Sequence, residues 1–279
     1  SDMKIHSIGK EEEYSGGNEA FRKKASENWQ RLYNSLTNEQ RKLWDSAYEP
    51  KNRAFLEANL SGTELAKWKY QRYIKDYLRC VASVDDNIGR LLDYLDEHGL
   101  TENTVIIYTS DQGFYLGEHG WYDKRFMYEE SLGMPLIIRY PQEISAGMTL
   151  DEMVLNLDFC PTILDYAGVE VPAEIQGESL RSLLRGHPSP QWRQMIYYHY
   201  YEYPHGWHDV KRHYGIRTQK FKLIHFYDDI DAKELYDLQQ DPHELNNVYD
   251  QAQFNGIQNE LETQLQELKK YYMDYEYIE

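Results

Sequence analysis

From about Thr63 to His98 the apolar residues fall on one side of a helical repeat. Tyr70, Ile74, Tyr77, Leu78, Val81, Val84, Ile88, Leu91, Leu92 and Leu95 keep a three-or-four spacing for several turns. The spacing predicts a long helix with one apolar face packed on a sheet, and Gly99 stands where a helix-terminating glycine belongs. Upstream, residues 18 to 60 are polar and helix-prone. Thr37 and Gln40 have the spacing of a capping box, and Pro50 is expected to end the helix they open. Downstream the period changes. "TVIIYT" (104–109) predicts a buried strand, "MPLIIRYP" (134–141) a second and "MVLNLD" (153–158) a third. A helix followed by a fully apolar strand is the pattern of an α/β layer with parallel strands. "FCPTILDYAGV" predicts a short helix closed by Gly168, with Pro161 tolerated in its first turn.

After about residue 190 the texture changes again. "MIYYHYYEY", "HYGIRT", "FKLIHFY" and "KELYDL" are short, rich in Tyr and Ile, and separated by turns, which predicts an antiparallel meander. "DPHELNN" reads as a turn-rich connector, and residues 256 to 273 as a final amphipathic helix. The expected architecture is α/β. A sheet flanked by helices occupies residues 1–190, and a small antiparallel sheet with a terminal helix occupies residues 191–279.

Composition narrows the function classes. The chain has 279 residues and a net charge of −17, which argues against a nucleic-acid surface but leaves room for a small basic pocket. No apolar stretch approaches the roughly 18 residues of a membrane span, and the polar opening "SDMKIHSIGKEEEYSGG" lacks the apolar core of a signal peptide. Two cysteines, Cys80 and Cys160, make no disulfide framework. Tyrosine is the outlier at 26 residues. Tyrosines line sugar sites, where the ring packs on apolar sugar faces, and they equally serve as core and edge-strand residues.

Candidate chemistry starts where the first apolar strand ends. Asp111 and Gln112 would lie beyond a strand's carboxyl end, where open α/β sheets bind ligands, with Gly113 letting the backbone turn. A carboxylate beside an amide carbonyl offers hard oxygen ligands for Ca²⁺ or Mg²⁺, although calcium wants six to eight oxygens and the same pair also suits a plain turn. Lys124 and Arg125 follow, two positive charges that suit a tetrahedral anion or, equally, a solvated surface pair.

The stretch "YTSDQGFYLGEHGWYDKRFMYEESLGMPLIIRYP" resembles the second signature region of the sulfatase family, within the alkaline phosphatase superfamily. The likeness continues through "VDDNIGRLLDYLDEHGLTENTVIIYTSDQG", "GIRTQKFKLIHFY" and "ELYDLQQDPHELNN", so it covers most of the chain. Within the family the chain is similar to bacterial glycan sulfatases of the N-acetylglucosamine-6-sulfatase type. The resemblance implies that Asp111 and Gln112 bind calcium and that Lys124 contacts the sulfate. It gives His119 of "GEHG" a loop-shaping place at the edge of the substrate region, and it implies export to the periplasm or beyond.

The departures are equally informative. Sulfatases carry Cys or Ser with Pro two residues later and Arg four later, the Cys or Ser becoming the formylglycine nucleophile. Cys160 is followed at once by Pro161 and has Leu164 four on, Cys80 lies in the long helix, and no serine fits. Asp85-Asp86 falls mid-helix and does not replace the family's paired aspartates. The expectation is the C-terminal half of a sulfatase, with an incomplete calcium site and the nucleophile in a missing N-terminal half that acts as its partner. The other expected partner is a sulfated amino sugar or glycan. The segment 199–222 concentrates positive charge, with Lys211, Arg212, Arg217, Lys220 and Lys222 beside His205, His208 and His213. By resemblance this sheet borders the pocket, so His205, His208, His213 and Arg217 are candidate substrate contacts, together with Arg125 and His119 near Lys124; strand-edge charge is the other reading. His205 and His208 are three apart but have no third zinc ligand in reach. A phosphodiesterase of the same superfamily, or a non-catalytic glycan-binding or assembly module, are the alternative readings.

Overall fold

The computed structural model describes residues 19–204, 210–228 and 230–274. The chain divides into two compact units, residues 1–94 and 95–279. The change of texture near residue 190 falls inside the second.

The first unit is helical, with α1 (Glu19–Ser35), α2 (Asn38–Ala58) and α3 (Gly62–Glu97). Thr37 opens α2 with the capping box the spacing predicts: its Oγ1 accepts from Gln40 N at 3.2 Å and its own N–H donates to Gln40 Oε1 at 2.8 Å. Pro50 does not end the helix, contrary to expectation. The chain continues to Ala58, where Phe55 is 2% exposed and stacks on Trp68 with ring centroids 3.9 Å apart. That tertiary contact outweighs one missing amide. Buried Arg72 bonds Asp76 Oδ2 at 2.9 Å and Asn52 Oδ1 at 3.1 Å, joining α2 to α3. Along α3, Leu78, Val81, Val84 and Leu91 are 44 to 56% exposed. Gly99 follows at φ +65°, and Leu100 N closes on Leu95 O at 2.8 Å.

In the second unit, β1 (Ile106–Thr109) pairs with β4 (Leu136–Arg139), Ile106 facing Arg139 and Thr109 facing Leu136. The pairing is antiparallel, which corrects the parallel expectation. Parallel neighbours are usually joined by a crossover helix long enough to span the strand. The connection here holds only a two-residue ribbon, β2 (Tyr115–Leu116) with β3 (Tyr122–Asp123), and the four-residue helix α4 (Glu129–Leu132). The expected third strand at 153–158 is also corrected: residues 156–158 form a short 3₁₀ turn. Buried Asp158 is the reason. Its carboxylate accepts from Leu155 N at 2.8 Å and Glu178 N at 2.9 Å, and pairs with Arg193 at 2.5 Å. Then α5 (Phe159–Tyr166) ends at Gly168 as predicted, with φ +67°, and α6 (Arg181–Leu184) joins a core of Leu180, Leu183, Leu184 and Trp192.

The meander is observed, with β5 (Met195–Tyr200), β6 (His213–Thr218), β7 (Phe221–Phe226) and β8 (Ala232–Asp237) in sequential antiparallel order. Strand alternation sorts its side chains onto two faces. Tyr214, Ile216, Leu223 and Leu235 meet Leu261 and Leu265 of α7 (Asn255–Tyr271). Ile224, Phe226 and Tyr236 meet Tyr115, Met127 and Tyr128 from the β1–β4 connection. Gly215 permits this approach, because a Cβ there would lie 2.5 Å from Met127 Sδ and 2.4 Å from Leu223 O.

Lys222 sits on that same face with a side chain wholly out of water. Its ammonium lies 2.7 Å from both Glu129 and Glu244; Arg217 adds a 3.0 Å contact to Glu129, and Glu244 Oε2 accepts from Glu129 N at 2.7 Å. Burial works to raise the Glu129 pKa, but Arg217 and Lys222 outweigh it and hold the carboxyl below its ordinary value. Burial raises that of Glu244. Glu244→Ala would leave Lys222 short of one counter-charge and the Glu129 amide without its acceptor. The expected cost is about 3–5 kcal/mol, read as a fall in the urea midpoint of the second unit.

Candidate active-site edge

The strand end at Thr109 leads into Ser110 and Asp111. Asp111 is exposed and Gln112 half-buried; Asn156 Nδ2 donates to the Asp111 main-chain oxygen at 3.3 Å. Gly113 is fixed by contact rather than by a left-handed turn. Its N–H donates to Ser131 O at 2.8 Å, and a Cβ would stand 2.1 Å from Glu130 O. The positive-φ glycines of this loop are Gly117 and Gly120 instead.

Between them, Glu118 Oε2 accepts from Leu116 N at 2.7 Å, and His119 takes φ +54°. The His119 ring stacks on Tyr128 at 4.7 Å and its Nε2 lies 3.3 Å from Glu130 Oε2. Trp121 stacks on Phe126 at 4.3 Å. The loop is therefore shaped by an aromatic cluster that rests on the meander through Tyr128, whose hydroxyl donates to Glu234 at 2.7 Å.

Lys124 stands between two non-glycine residues of positive φ, Asp123 at +84° and Arg125 at +101°. It is half-buried, and no hydrogen bond or ion pair of its ammonium is found among the described residues. Arg125 is differently placed: its guanidinium lies 2.5 Å from Asp123 and 3.7 Å from Glu202.

The remaining candidates separate. His205 and His208 lie outside the described residues. Arg217 is committed to Glu129. His213 is fully buried, stacked on Phe126 and Tyr200, with Nδ1 2.7 Å from Lys211 O. The substrate-facing reading of His213 gives way to a packing one, because no edge of the ring reaches the surface. Several tyrosines follow the core reading, Tyr115, Tyr128, Tyr214, Tyr227 and Tyr236 being buried. Asp85 and Asp86 lie within α3, and both cysteines are exposed and free. Sequence patterning missed Ser131, Glu129 and Glu244; polar residues at a short helix and a turn carry no periodic signal.

As donors, Asp111 and Gln112 are of the oxygen type that calcium takes, and would offer two of the six to eight ligands it needs. Among the described residues no group of three or more His, Cys, Asp or Glu side chains is arranged to hold a metal, so this chain fits such a site only in part.

Comparison with known proteins completes the picture. The family described as "Sulfatase" matches residues 3–169, and "N-sulphoglucosamine sulphohydrolase, C-terminal" matches residues 117–271. An N-acetylglucosamine-6-O-sulfatase of Bacteroides thetaiotaomicron is 55% identical over 87% of this chain and 44% of its own length. An arylsulfatase of Clostridium perfringens is 32% identical over 64% of this chain and 36% of its own. The chain thus spans less than half the length of these relatives. A solved structure in complex with its substrate D-glucosamine-2-N,6-O-disulfate superposes with a TM-score of 0.85 at 54% identity, covering 88% of this chain and 50% of that one.

Burial pushes the His213 pKa down from 6.5 to about 4, so the folded ring stays neutral where an unfolded one takes up a proton. Its contribution to stability is fully present above pH 6.5 and is lost as the pH falls toward 4. His213→Phe should therefore shrink the stability lost between pH 7 and pH 5 by roughly 2 kcal/mol, read from urea midpoints at the two pH values.

Proposed function

Because the chain belongs to the sulfatase family, we propose that it forms the substrate-facing C-terminal part of a calcium-dependent glycan sulfatase acting on 6-O-sulfated glucosamine residues. The observation that carries this reading is Lys124. In a chain of net charge −17, a half-buried ammonium with no acidic partner among the described residues is held on the loop that follows the exposed Asp111. A sulfate ester is the class of ligand such a cation suits, since negative charge builds on the sulfate and its leaving oxygen as the ester bond breaks.

Asp111 and Gln112 would hold part of the metal shell, and the metal, when bound, draws charge from the sulfate oxygens. Lys124 neutralises a further share from the side. Arg125 carries a second positive charge nearby but already faces Asp123 and Glu202, which suits it to orienting the loop. The nucleophile and the remaining metal ligands belong to the portion of the sulfatase fold that this chain does not contain, and that portion is the partner we propose for it. The substrate class follows from the relative that binds D-glucosamine-2-N,6-O-disulfate.

The test joins this chain to the preceding residues of the Bacteroides thetaiotaomicron relative and measures sulfate release from 6-sulfo-N-acetylglucosamine. Turnover is expected, with complete loss in EDTA and a fall of about 10²–10³ in kcat for Lys124→Ala. The chain alone should release none. Turnover indifferent to Lys124→Ala, or hydrolysis of a phosphodiester in preference to the sulfate, would sink the reading.

A further inference from the structure

Taking the functional reading above as its basis, we infer that Ser131 is a positioning residue that sets Lys124 against Asp111 and Gln112. Two observations meet on this one buried residue, which is 6% exposed. Its main-chain oxygen accepts from Gly113 N at 2.8 Å, the residue directly after Gln112. Its hydroxyl oxygen accepts from Arg125 N at 2.9 Å, the residue directly after Lys124. Asp111–Gln112 and Lys124 are thirteen residues apart along the chain, counted from Asp111 to Lys124, yet each is followed by an amide fastened to the same serine.

The backbone around Lys124 needs such a fastening. Asp123 and Arg125 both hold positive φ, at +84° and +101°, in a conformation that L side chains rarely adopt and that persists only where the surroundings dictate it. Two bonds bracket Arg125: Ser131 Oγ takes its N–H, and the Tyr198 hydroxyl donates to its carbonyl at 2.6 Å. Gly113 makes the other side rigid, because it lies too close to Glu130 O and Gly133 O for any side chain to fit. The hydroxyl of Ser131 is thus the adjustable half of the clamp and its carbonyl the invariant half. Removing the hydroxyl frees the Lys124 side while leaving the Asp111–Gln112 side attached. A residue that served only general stability would not separate the two.

This separation defines the experiment, run on the joined full-length enzyme. Ser131→Ala should lower kcat by about 10- to 100-fold, as misplacement of a charge-stabilising group does, and should weaken inhibition by inorganic sulfate. Calcium affinity, read from turnover against buffered free calcium, should stay at the parent value. Ser131→Thr keeps the hydroxyl and should return kcat to within about threefold of the parent, with Ser131→Cys, a poor acceptor of the same shape, falling between. On the chain itself, amide hydrogen exchange should show Arg125 losing protection in Ser131→Ala while Gly113 keeps it. The inference is overturned if Ser131→Ala leaves kcat and sulfate inhibition unchanged, or if sulfate inhibition, calcium affinity and Tm all fall together. If Lys124→Ala proves silent, the functional reading fails and takes this inference with it. If Lys124→Ala abolishes turnover and Ser131→Ala is silent, only the clamp fails.

Discussion

Lys222 carries a positive charge at a place where none of its side chain reaches water, and the chemistry-bearing loop is built on the way that charge is neutralised. An isolated ammonium is untenable in such surroundings; it must be paired with good geometry and its partners must themselves be satisfied. Glu129 and Glu244 each stand 2.7 Å from it, and Glu244 also takes the Glu129 amide. One lysine on β7, one glutamate in the turn after β8 and the first residue of α4 are thereby held together. The turn that delivers Glu244 is secured by its own side chains: Asp241 Oδ2 accepts from Asn246 N, and Asn247 Oδ1 accepts from Leu235 N. The motif "DPHELNN" thus acquires a physical meaning. It presents a buried carboxylate to the start of α4.

From α4 the constraint passes to the site. Glu129 begins the short helix, and Ser131 within it receives the amides that follow Gln112 and Lys124. The aromatic cluster of Tyr115, His119, Trp121, Phe126 and Tyr128 fills the space between loop and meander, so the loop is supported by packing as well as by hydrogen bonds. Of the candidate cations, Arg125, Arg217 and Lys222 each face a carboxylate, whereas Lys124 faces none among the described residues. The positive charge gathered between residues 199 and 222 largely serves the interior and the sheet edge.

What the sequence by itself determined are the features encoded within a few neighbouring residues. The three-or-four spacing places α3, the Thr37–Gln40 pair caps α2, Gly99 and Gly168 end their helices, and the alternating Tyr- and Ile-rich runs form the four-stranded meander. Asp111, Gln112 and Lys124 were legible as candidates because they follow an apolar strand within a stretch resembling a known family. Tertiary structure alone decided the antiparallel pairing of β1 with β4, the passage of α2 through Pro50, the turn at 156–158 and the burial of His213. It also decided that Gly113 is glycine because two carbonyls crowd it, and that Ser131, Glu129 and Glu244 support the site. The physical reason is range. Helix caps and strand alternation join residues a few positions apart, while the bonds that anchor α4, on which the loop is fastened, join residues 88 and 115 positions apart and exist only once two distant faces have met.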